Sequence, residues 1–375
     1  MLDSGTSTKL SRQPVPRVTL AHVAERAGVS TATASLILSG REEYIKQFRV
    51  DTVDKVRRSA KRLGYRANLF AAGLPTKAPA FFVLVIRDFG GRQDIHDWHL
   101  WAFEGNLLAG AVRTAADRGL YPIVATINPD DPDAGVASAK RIVTGGVMGA
   151  IVRAQNPPLE KWLREQLRLG HRIVVVFPDQ ISNWPENAIV ADNVAIGDTA
   201  GRLLAACGRR RWGLVRYKQR TIREPHVLRS QGFEEAARKV GATVEVISLP
   251  REPEDVTDRD LLRLKKGEFD GLLAIDSVLS VDAILACRRV GLKPGEDISL
   301  VGVNCSQWRS PEMPVITSID ISWSEVGRTA MQQLIHLSDA GQHLFESIMV
   351  KPQIVPGATC PVPAEMLGDK PEAGR

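Results

Sequence analysis

His96, Asp97, Trp98 and His99 place two imidazoles and a carboxylate side by side in a 375-residue chain. On a loop such a group could hold zinc, although the plainer reading is a polar rim or surface. The stretch GGVMGA (145–150) lacks the G-x-G-x-x-G spacing and precedes an apolar run, so it reads as a turn and not as a phosphate cradle. Neither a P-loop nor a G-x-S-x-G motif occurs. Cys207, Cys287, Cys305 and Cys360 are far apart and form no C-x-x-C pair, so they read as free thiols. Nothing in these patterns argues for turnover, and no catalytic group, metal or cofactor is expected.

Charge points elsewhere. Residues 1–77 carry 14 Lys/Arg and 6 Asp/Glu, a net +8, while the whole chain is only +6. A basic head on a near-neutral body suggests a polyanion-binding module joined to a body with another task. Within that head, VTLAHVAERAGVSTATASLILSG (18–40) holds two short apolar-periodic runs around Gly28. Thr19 can cap a helix from Leu20 to about Arg26, Gly28 can end it, and Ser30 can cap a second helix from Thr31 to about Leu38. This is the helix-turn-helix pattern, with Thr31, Ala32, Thr33, Ser35 and Leu36 pointing outward where they could enter a major groove. A third helix is predicted from about Thr52 to Leu63, with Val53, Val56, Ala60 and Leu63 inside and its basic residues mostly outside. Residues 1–17 are polar, contain proline and have no apolar h-region, so a disordered leader and not a secretory signal is expected. With no apolar run near the ~20 residues of a membrane span, the expected location is the cytoplasm.

The body must position any other chemistry. From Ala80 short apolar runs alternate with helical patterns: AFFVLVIRD, a helix over 100–118, YPIVATI, a helix over 134–144, MGAIVRA and RIVVVFP. The alternation restarts at AIVADN and runs through RWGLVRY, TVEVISL, GLLAID, ISLVGVN and VITSIDI to a helix over 324–337. The predicted fold class is a small all-α helix-turn-helix domain followed by α/β, with two doubly wound parallel-sheet lobes. Two such lobes make a cleft at their strand ends. Asp88 ends the first body strand and could accept from a ligand there. Trp98, Trp101 and Trp308 fall in loops or near helix starts, where an indole face could stack on a sugar or other ring; for Trp101 core packing is as good a reading.

VTLAHVAERAGVSTATAS, LGYRAN and AAGL resemble the DNA-binding head of the LacI/GalR-type regulator family. FEGNLLAGAVRTAADRG, ADN, LRSQGFEEAARKVG, AIDSVLSVDAILACRRVGLKPGEDISLVGVN and ITSIDISWSEVGRTAM resemble, in the same order, its type I periplasmic-binding-protein-like body. The resemblance covers about residues 18–355. It implies that Thr19, Ser30, Thr31, Ala32, Thr33, Ser35, Leu36, Tyr65, Asn68 and Leu74 meet DNA. Thr31 and Ala32 fall at the main base-reading positions, and Leu74 at the wedge of a hinge helix. Leu36 stands where the family usually carries an arginine, which removes a bidentate donor to guanine. Arg229 matches an arginine aimed at a polar effector, and Asp276 an acceptor for hydroxyls or an amine; surface and helix-cap readings stand beside these roles. Ile275, Asn304 and Ile321 depart from the family pattern, so the pocket is edited.

The implied organisation is a head over 18–66, a hinge over 67–78, a bilobed body over 79–360 and a tail over 361–375. The first lobe is expected at 79–191 and 303–319, the second at 192–302 and 320–360, with the chain crossing near 191–194, 302–305 and 318–322. The implied partners are a near-palindromic double-stranded operator, a small-molecule effector such as a sugar, and a second copy of the chain. The tail has no heptad leucines, so a dimer without a tetramerising coiled coil is expected. A solute-binding protein outside the cytoplasm and an enzyme on a doubly wound core are the alternatives.

Overall fold

The computed structural model describes residues 18–38, 42–65, 81–87, 95–127, 147–154, 157–217, 223–249, 259–307 and 313–367, with backbone alone at 42–43 and 95–100. The hinge, the helix expected over 134–144, Asn68, Leu74, Asp88, Trp308 and the side chain of Trp98 lie outside the described residues. The chain divides into two units, 1–79 and 80–375.

The first unit is helical: α1 (Leu20–Ala27), α2 (Thr31–Leu38), α3 (Glu42–Ile45) and α4 (Val50–Leu63). Gly28 ends α1 with φ +67°, a left-handed conformation that spares a Cβ clash, and returns its N–H to Ala24 and Glu25 carbonyls. Ser30 caps α2, its Oγ accepting from Thr33 N–H at 3.0 Å. Val23, Ala24, Ala27, Ala34, Ile37, Val53, Val56 and Ala60 bury together as one small core. The helix expected from Thr52 begins at Val50, and the long connection before it contains the one-turn α3. Ile45 and Phe48 tie that connection to the core.

The second unit contains two six-stranded sheets. The first uses β1 (Phe81–Arg87), β2 (Tyr121–Ile127), β3 (Ala150–Arg153), β4 (Ile173–Val176), β5 (Ala188–Ala191) and β11 (Ile348–Val350), in the order β11-β5-β4-β3-β1-β2, all parallel. The second uses β6 (Arg211–Tyr217), β7 (Thr243–Leu249), β8 (Gly271–Ala274), β9 (Ser299–Val303), β10 (Thr317–Asp320) and β12 (Gln353–Val355), in the order β12-β10-β9-β8-β6-β7. Only its edge strand β12 runs antiparallel. Central strands such as β3, β4, β8 and β9 are buried along their whole length, which is why they read as unbroken apolar runs. The covering helices that bear on the cleft are α5 (Ile95–Ala116), α6 (Pro157–Arg168), α7 (Asn193–Ala206), α8 (Glu224–Val240), α9 (Arg259–Lys265), α10 (Ser277–Arg289) and α11 (Trp323–Asp339).

Three expectations are corrected. Residues 303–319 do not return to the first lobe, because β9 and β10 are hydrogen-bonded neighbours in the second sheet. The chain leaves the second sheet only after Asp320, where α11 packs on α5 in the first lobe, and crosses again between β11 and β12. These two strands are three residues each, too short to leave an alternation in the sequence. His96, Asp97, Trp98 and His99 are not on a loop, since α5 begins at Ile95. The cysteines are not all isolated: Cys207 and Cys360, both free thiols, lie with Sγ atoms 3.7 Å apart. Burial, then the neighbouring Cys207, pushes the Cys360 thiol up to about 12.

In each lobe one pair of helices crosses at unusually close range. A Cβ at Gly110 would collide with the Ser324 carbonyl, and one at Gly327 with the Leu107 carbonyl, so α5 and α11 meet backbone to backbone. Gly197 and Gly232 do the same for α7 and α8, facing the Arg229 and Val194 carbonyls. These contacts set the helix ends that border the cleft.

Candidate functional sites in the head and between the lobes

On α2, Thr31, Ala32, Ser35 and Leu36 are exposed, whereas Ala34 and Ile37 are buried. Their i, i+1, i+4, i+5 spacing places them on one face. Leu36 is 36% exposed, a large apolar side chain where the expected face is polar. Ser30 and Thr33 lie at the helix start, where their hydroxyls are 2.9 Å apart in the cap. Thr19 precedes α1, its N–H donating to His22 Nδ1 at 3.4 Å. Tyr65 is half-buried against the head core, its N–H held by the Ala60 carbonyl at 2.9 Å. The outer side of α4 exposes Lys55, Arg57, Arg58, Lys61 and Arg62, so the head's excess charge is solvated.

The second site is a cavity of about 110 Å³ within the 80–375 unit, walled by both lobes at the C-terminal ends of their strands. That is room for several waters or one compact metabolite.

The wall from the first lobe is aromatic around a buried ion pair. Trp323, the first residue of α11, stacks on Phe103 of α5 with centroids 4.8 Å apart and meets Phe177 edge-on at 4.9 Å. The Gly110–Gly327 crossing brings these helix ends together. Arg153, last residue of β3, lies 4.7 Å from the Trp323 ring. Its Nε is 3.4 Å from Glu104 Oε1, and its Nη1 donates to the Phe177 carbonyl at 3.2 Å. Phe177 has φ +48°, a costly conformation for an aromatic residue, and it turns the chain from β4 toward the cavity-lining Pro178 and Asp179. Burial pulls Arg153 down to about 10, opposed by Glu104, and the same burial raises the Glu104 carboxyl above its ordinary value.

The wall from the second lobe is polar and closely hydrogen-bonded. Arg229 sits in the second turn of α8, buried, with Nε donating to Asn193 Oδ1 at 2.8 Å and Nη1 to the Ile275 carbonyl at 2.5 Å. The Gly197–Gly232 crossing lets α8 approach α7 closely enough for these bonds. Burial pulls Arg229 down to about 10, with Asp276 opposing. Asp276 caps α10, its Oδ1 accepting from Leu279 N–H at 2.8 Å, while its Oδ2 is 3.7 Å from His226 Nε2. Asn304, at φ +53°, accepts from Ile321 N–H at 2.8 Å, joining two of the positions where the pocket departs from the family pattern. Polar contacts bridge the lobes: Arg223 Nη1 to Asp179 Oδ1 at 3.1 Å, Ser182 N–H to the Glu224 carboxylate at 3.3 Å, and Asn106 Nδ2 to Gln307 Oε1 at 2.9 Å.

Of the expected effector residues, Arg229 and Asp276 line the cavity. Trp101 does not: it is 39% exposed on α5, which starts earlier than expected and turns Phe103 inward instead. Sequence reasoning missed Trp323, Phe103, Arg153, Arg223 and Glu104. A signal was present for two of them, since Arg153 closes an apolar strand and Glu104 interrupts an apolar helix stripe. Among the described residues no group of His, Cys, Asp or Glu could hold a metal ion, and no helix is long and apolar enough to cross a membrane.

An exposed helix-turn-helix face and a bilobed α/β body define a DNA-binding regulator. Residues 19–68 match the family model for bacterial regulatory proteins of the lacI family, and residues 202–360 that for a periplasmic binding protein-like domain. The HTH-type transcriptional regulator GntR of Pseudomonas aeruginosa is 26% identical over 360 residues, covering 89% of this chain and 92% of that protein. KdgR of Bacillus subtilis, likewise an HTH-type transcriptional regulator, is 22% identical over 92% of this chain and 98% of its own. The lac repressor dimer bound to operator and the anti-inducer ONPF has the same fold, with TM-score 0.71 at 19% identity over 92% of this chain and 99% of that one. A complex of the transcriptional regulator CelR with cellobiose aligns at TM-score 0.59 and 21% identity over 92% of this chain and 100% of that one. Residues 19–68 thus carry the helix-turn-helix domain of lacI-family regulatory proteins, and HTH-type transcriptional regulators are similar to this chain along nearly its whole length.

Proposed function

We propose that this chain is a cytoplasmic, homodimeric repressor whose grip on a near-palindromic operator is set by a small polar effector held between the lobes. The observation that carries this reading is the cavity walled by both lobes, in a chain whose head presents α2 as an exposed reading face. Thr31 and Ala32 read base edges in the major groove, Ser35 and Leu36 contact the next turn, and Ser30 and Thr33 hold the start of the helix. Thr19, Tyr65 and Asn68 support the docking, and Leu74 acts as a minor-groove wedge. Leu36 offers a methyl-rich surface in place of a bidentate donor, which favours contact with thymine methyls over guanine at that step. Arg229 and Asp276 hold the effector's polar groups, and Trp323 supplies the ring face. An effector that binds the closed lobes better than the open ones changes DNA affinity by that difference. The CelR complex with cellobiose supports a sugar or related metabolite, and the PurR relatives, named transcriptional repressors in Haemophilus influenzae, support repression.

The test is selection of duplexes from a random library by the full chain, followed by titration with metabolites. A preferred near-palindromic site is expected, and Thr31→Ala combined with Ala32→Ser should change it. Arg229→Gln should abolish the metabolite response while the operator is still bound. No preference for any duplex over random competitor at moderate ionic strength would refute the reading.

A further inference from the structure

We propose that Cys207 and Cys360 form a reversible disulfide site: a peroxide oxidises Cys207, Cys360 resolves it, and the bond fastens the segment behind β12 to the end of α7. The two free thiols are in contact, Sγ to Sγ 3.7 Å, across 153 positions of sequence. A disulfide bond is roughly 2.0 Å long, so less than ~2 Å remains to close, within reach of side-chain rotation. The backbones need not move, because the fold already holds both. Cys207 ends α7, its N–H donating to the Leu203 and Ala205 carbonyls. Cys360 is tied to β10: its N–H donates to Thr317 Oγ1 at 3.1 Å, and Thr317 Oγ1 donates to its carbonyl at 2.7 Å. Beside it, Thr359 Oγ1 donates to the Leu300 carbonyl of β9 at 2.7 Å.

The two sulfurs differ as an attacking and a resolving thiol must. Cys207 is partly exposed and Cys360 is buried, so a dissolved oxidant meets Cys207 first. The Cys207 thiol donates to the Pro361 carbonyl at 3.2 Å, which keeps it against the Cys360 segment. Burial, then the nearby Cys207, holds Cys360 in its thiol form, while the Ser299 hydroxyl and the Arg209 guanidinium favour its thiolate. Arg209 Nε donates to Ser299 Oγ at 3.0 Å, which keeps both groups at the pair. In the first step the Cys207 thiolate attacks one oxygen of hydrogen peroxide. The O–O bond breaks, hydroxide leaves and takes up the proton the thiol gave, and Cys207 becomes a sulfenic acid. The Cys360 sulfur then attacks the Cys207 sulfur. The S–O bond breaks, and the departing hydroxide takes the Cys360 proton as water. Two thiols give up two electrons, and one peroxide becomes two waters. Cys287 and Cys305 are fully buried, and burial pushes both up to about 12, so they are the unreactive references.

The site is separate from the interlobe cavity. α7 runs from Asn193, which lines that cavity, to Ala206, about 20 Å at ~1.5 Å per residue. The loop that the bond closes contains both later crossings between the lobes, after Asp320 and between β11 and β12. Closing a loop of that length restricts the unfolded chain strongly.

The experiment exposes the reduced, native full chain at neutral pH to a small excess of hydrogen peroxide. Remaining thiols are then alkylated, and peptides are mapped by mass without reduction. Two of the four thiols should be lost, and the Cys207 and Cys360 peptides should run as one until dithiothreitol separates them. The oxidised chain should melt at a higher temperature than the reduced one. Cys207→Ser should leave the remaining thiols intact under the same treatment. Cys360→Ser should instead trap Cys207 as a sulfenic acid, captured by dimedone, a label that the unaltered chain resists. Melting curves of the reduced variants check that they fold, and Cys207→Ser, at a partly exposed position, carries the test if Cys360→Ser does not. The proposal is overturned if the native chain keeps all its thiols, if Cys287 or Cys305 is oxidised as readily, or if the bond joins two chains. Loss of the Cys360 thiol at an unchanged rate in Cys207→Ser, or equal melting of the oxidised and reduced chains, would overturn it as well.

Discussion

Arg153 in the first lobe and Arg229 in the second both reach the interlobe cavity, and burial pulls each guanidinium down to about 10. Their partners differ in kind. Arg153 relies on a buried carboxylate, Glu104, and on the faces of Trp323 and Phe177. Arg229 relies on an amide oxygen and a backbone carbonyl. Arg229 sits on α8, which crosses α7 through Gly197–Gly232, whereas Arg153 ends β3 and its partners Glu104 and Trp323 sit on helices that cross through Gly110–Gly327. One packing device thus supports two electrostatic solutions. The first lobe carries an ion pair whose acid half is itself uncomfortable, and the second lobe holds its guanidinium by neutral, directional acceptors, with Asp276 opposing the cost of burial from beside them. The first wall should therefore be sensitive to pH and to loss of a single charge, and the second to loss of geometry.

The largest difference is expected for the arginines themselves. Arg153→Leu strands the Glu104 carboxylate and should cost about 3–5 kcal/mol in urea denaturation at high pH. The Glu104 carboxyl is already raised above its ordinary value of 4.5 by burial, and losing Arg153 raises it further. A raised acid penalises the fold once it ionises, above its folded value, and not below its unfolded one. The loss should therefore shrink as pH falls toward 4.5. Arg229→Leu leaves two neutral acceptors without donors and should cost about 1–3 kcal/mol with a flatter pH profile. Equal pH profiles for the two variants would break the comparison.

The glycine crossings come next. Gly327→Ala and Gly232→Ala each force a methyl against a backbone carbonyl and should each lose about 1–3 kcal/mol by thermal denaturation. A loss confined to one of them would show that the two helix pairs are not equivalent supports. The smallest expected difference is in the caps. Asp192→Ala removes a 2.9 Å bond to Ala195 N–H at the start of α7 and should cost about 1 kcal/mol. Ser322→Ala removes a longer, 3.4 Å bond to Glu325 N–H and should cost about 0.5 kcal/mol in the same assay. A larger loss for Ser322→Ala would mean that the start of α11, and with it Trp323, depends on its cap more than on packing.

The head was legible because its signals are local. Gly28 at a left-handed turn, Ser30 as a cap and the apolar spacing of Val23, Ala27, Ala34 and Ile37 each act within a few residues. The strands were legible for a related reason: burial on both faces leaves an unbroken apolar run. Arg229 and Asp276 were reached through motif resemblance, and the sequence carried no sign that Asp276 would both cap α10 and border the cavity. Trp101 misled because an indole near a helix start was weighed without knowing that α5 begins at Ile95.

From the sequence alone came the basic helical head, the two alternating βα runs and the family these resemble, because turns, caps and buried periodicities are written in neighbouring residues. Only the tertiary structure decided which lobe owns residues 303–320, that Glu104 meets Arg153 and Phe103 meets Trp323, and that Cys207 lies against Cys360. Those pairs are separated by tens to hundreds of positions, and no local pattern encodes a distance that exists only once two sheets and their covering helices have packed.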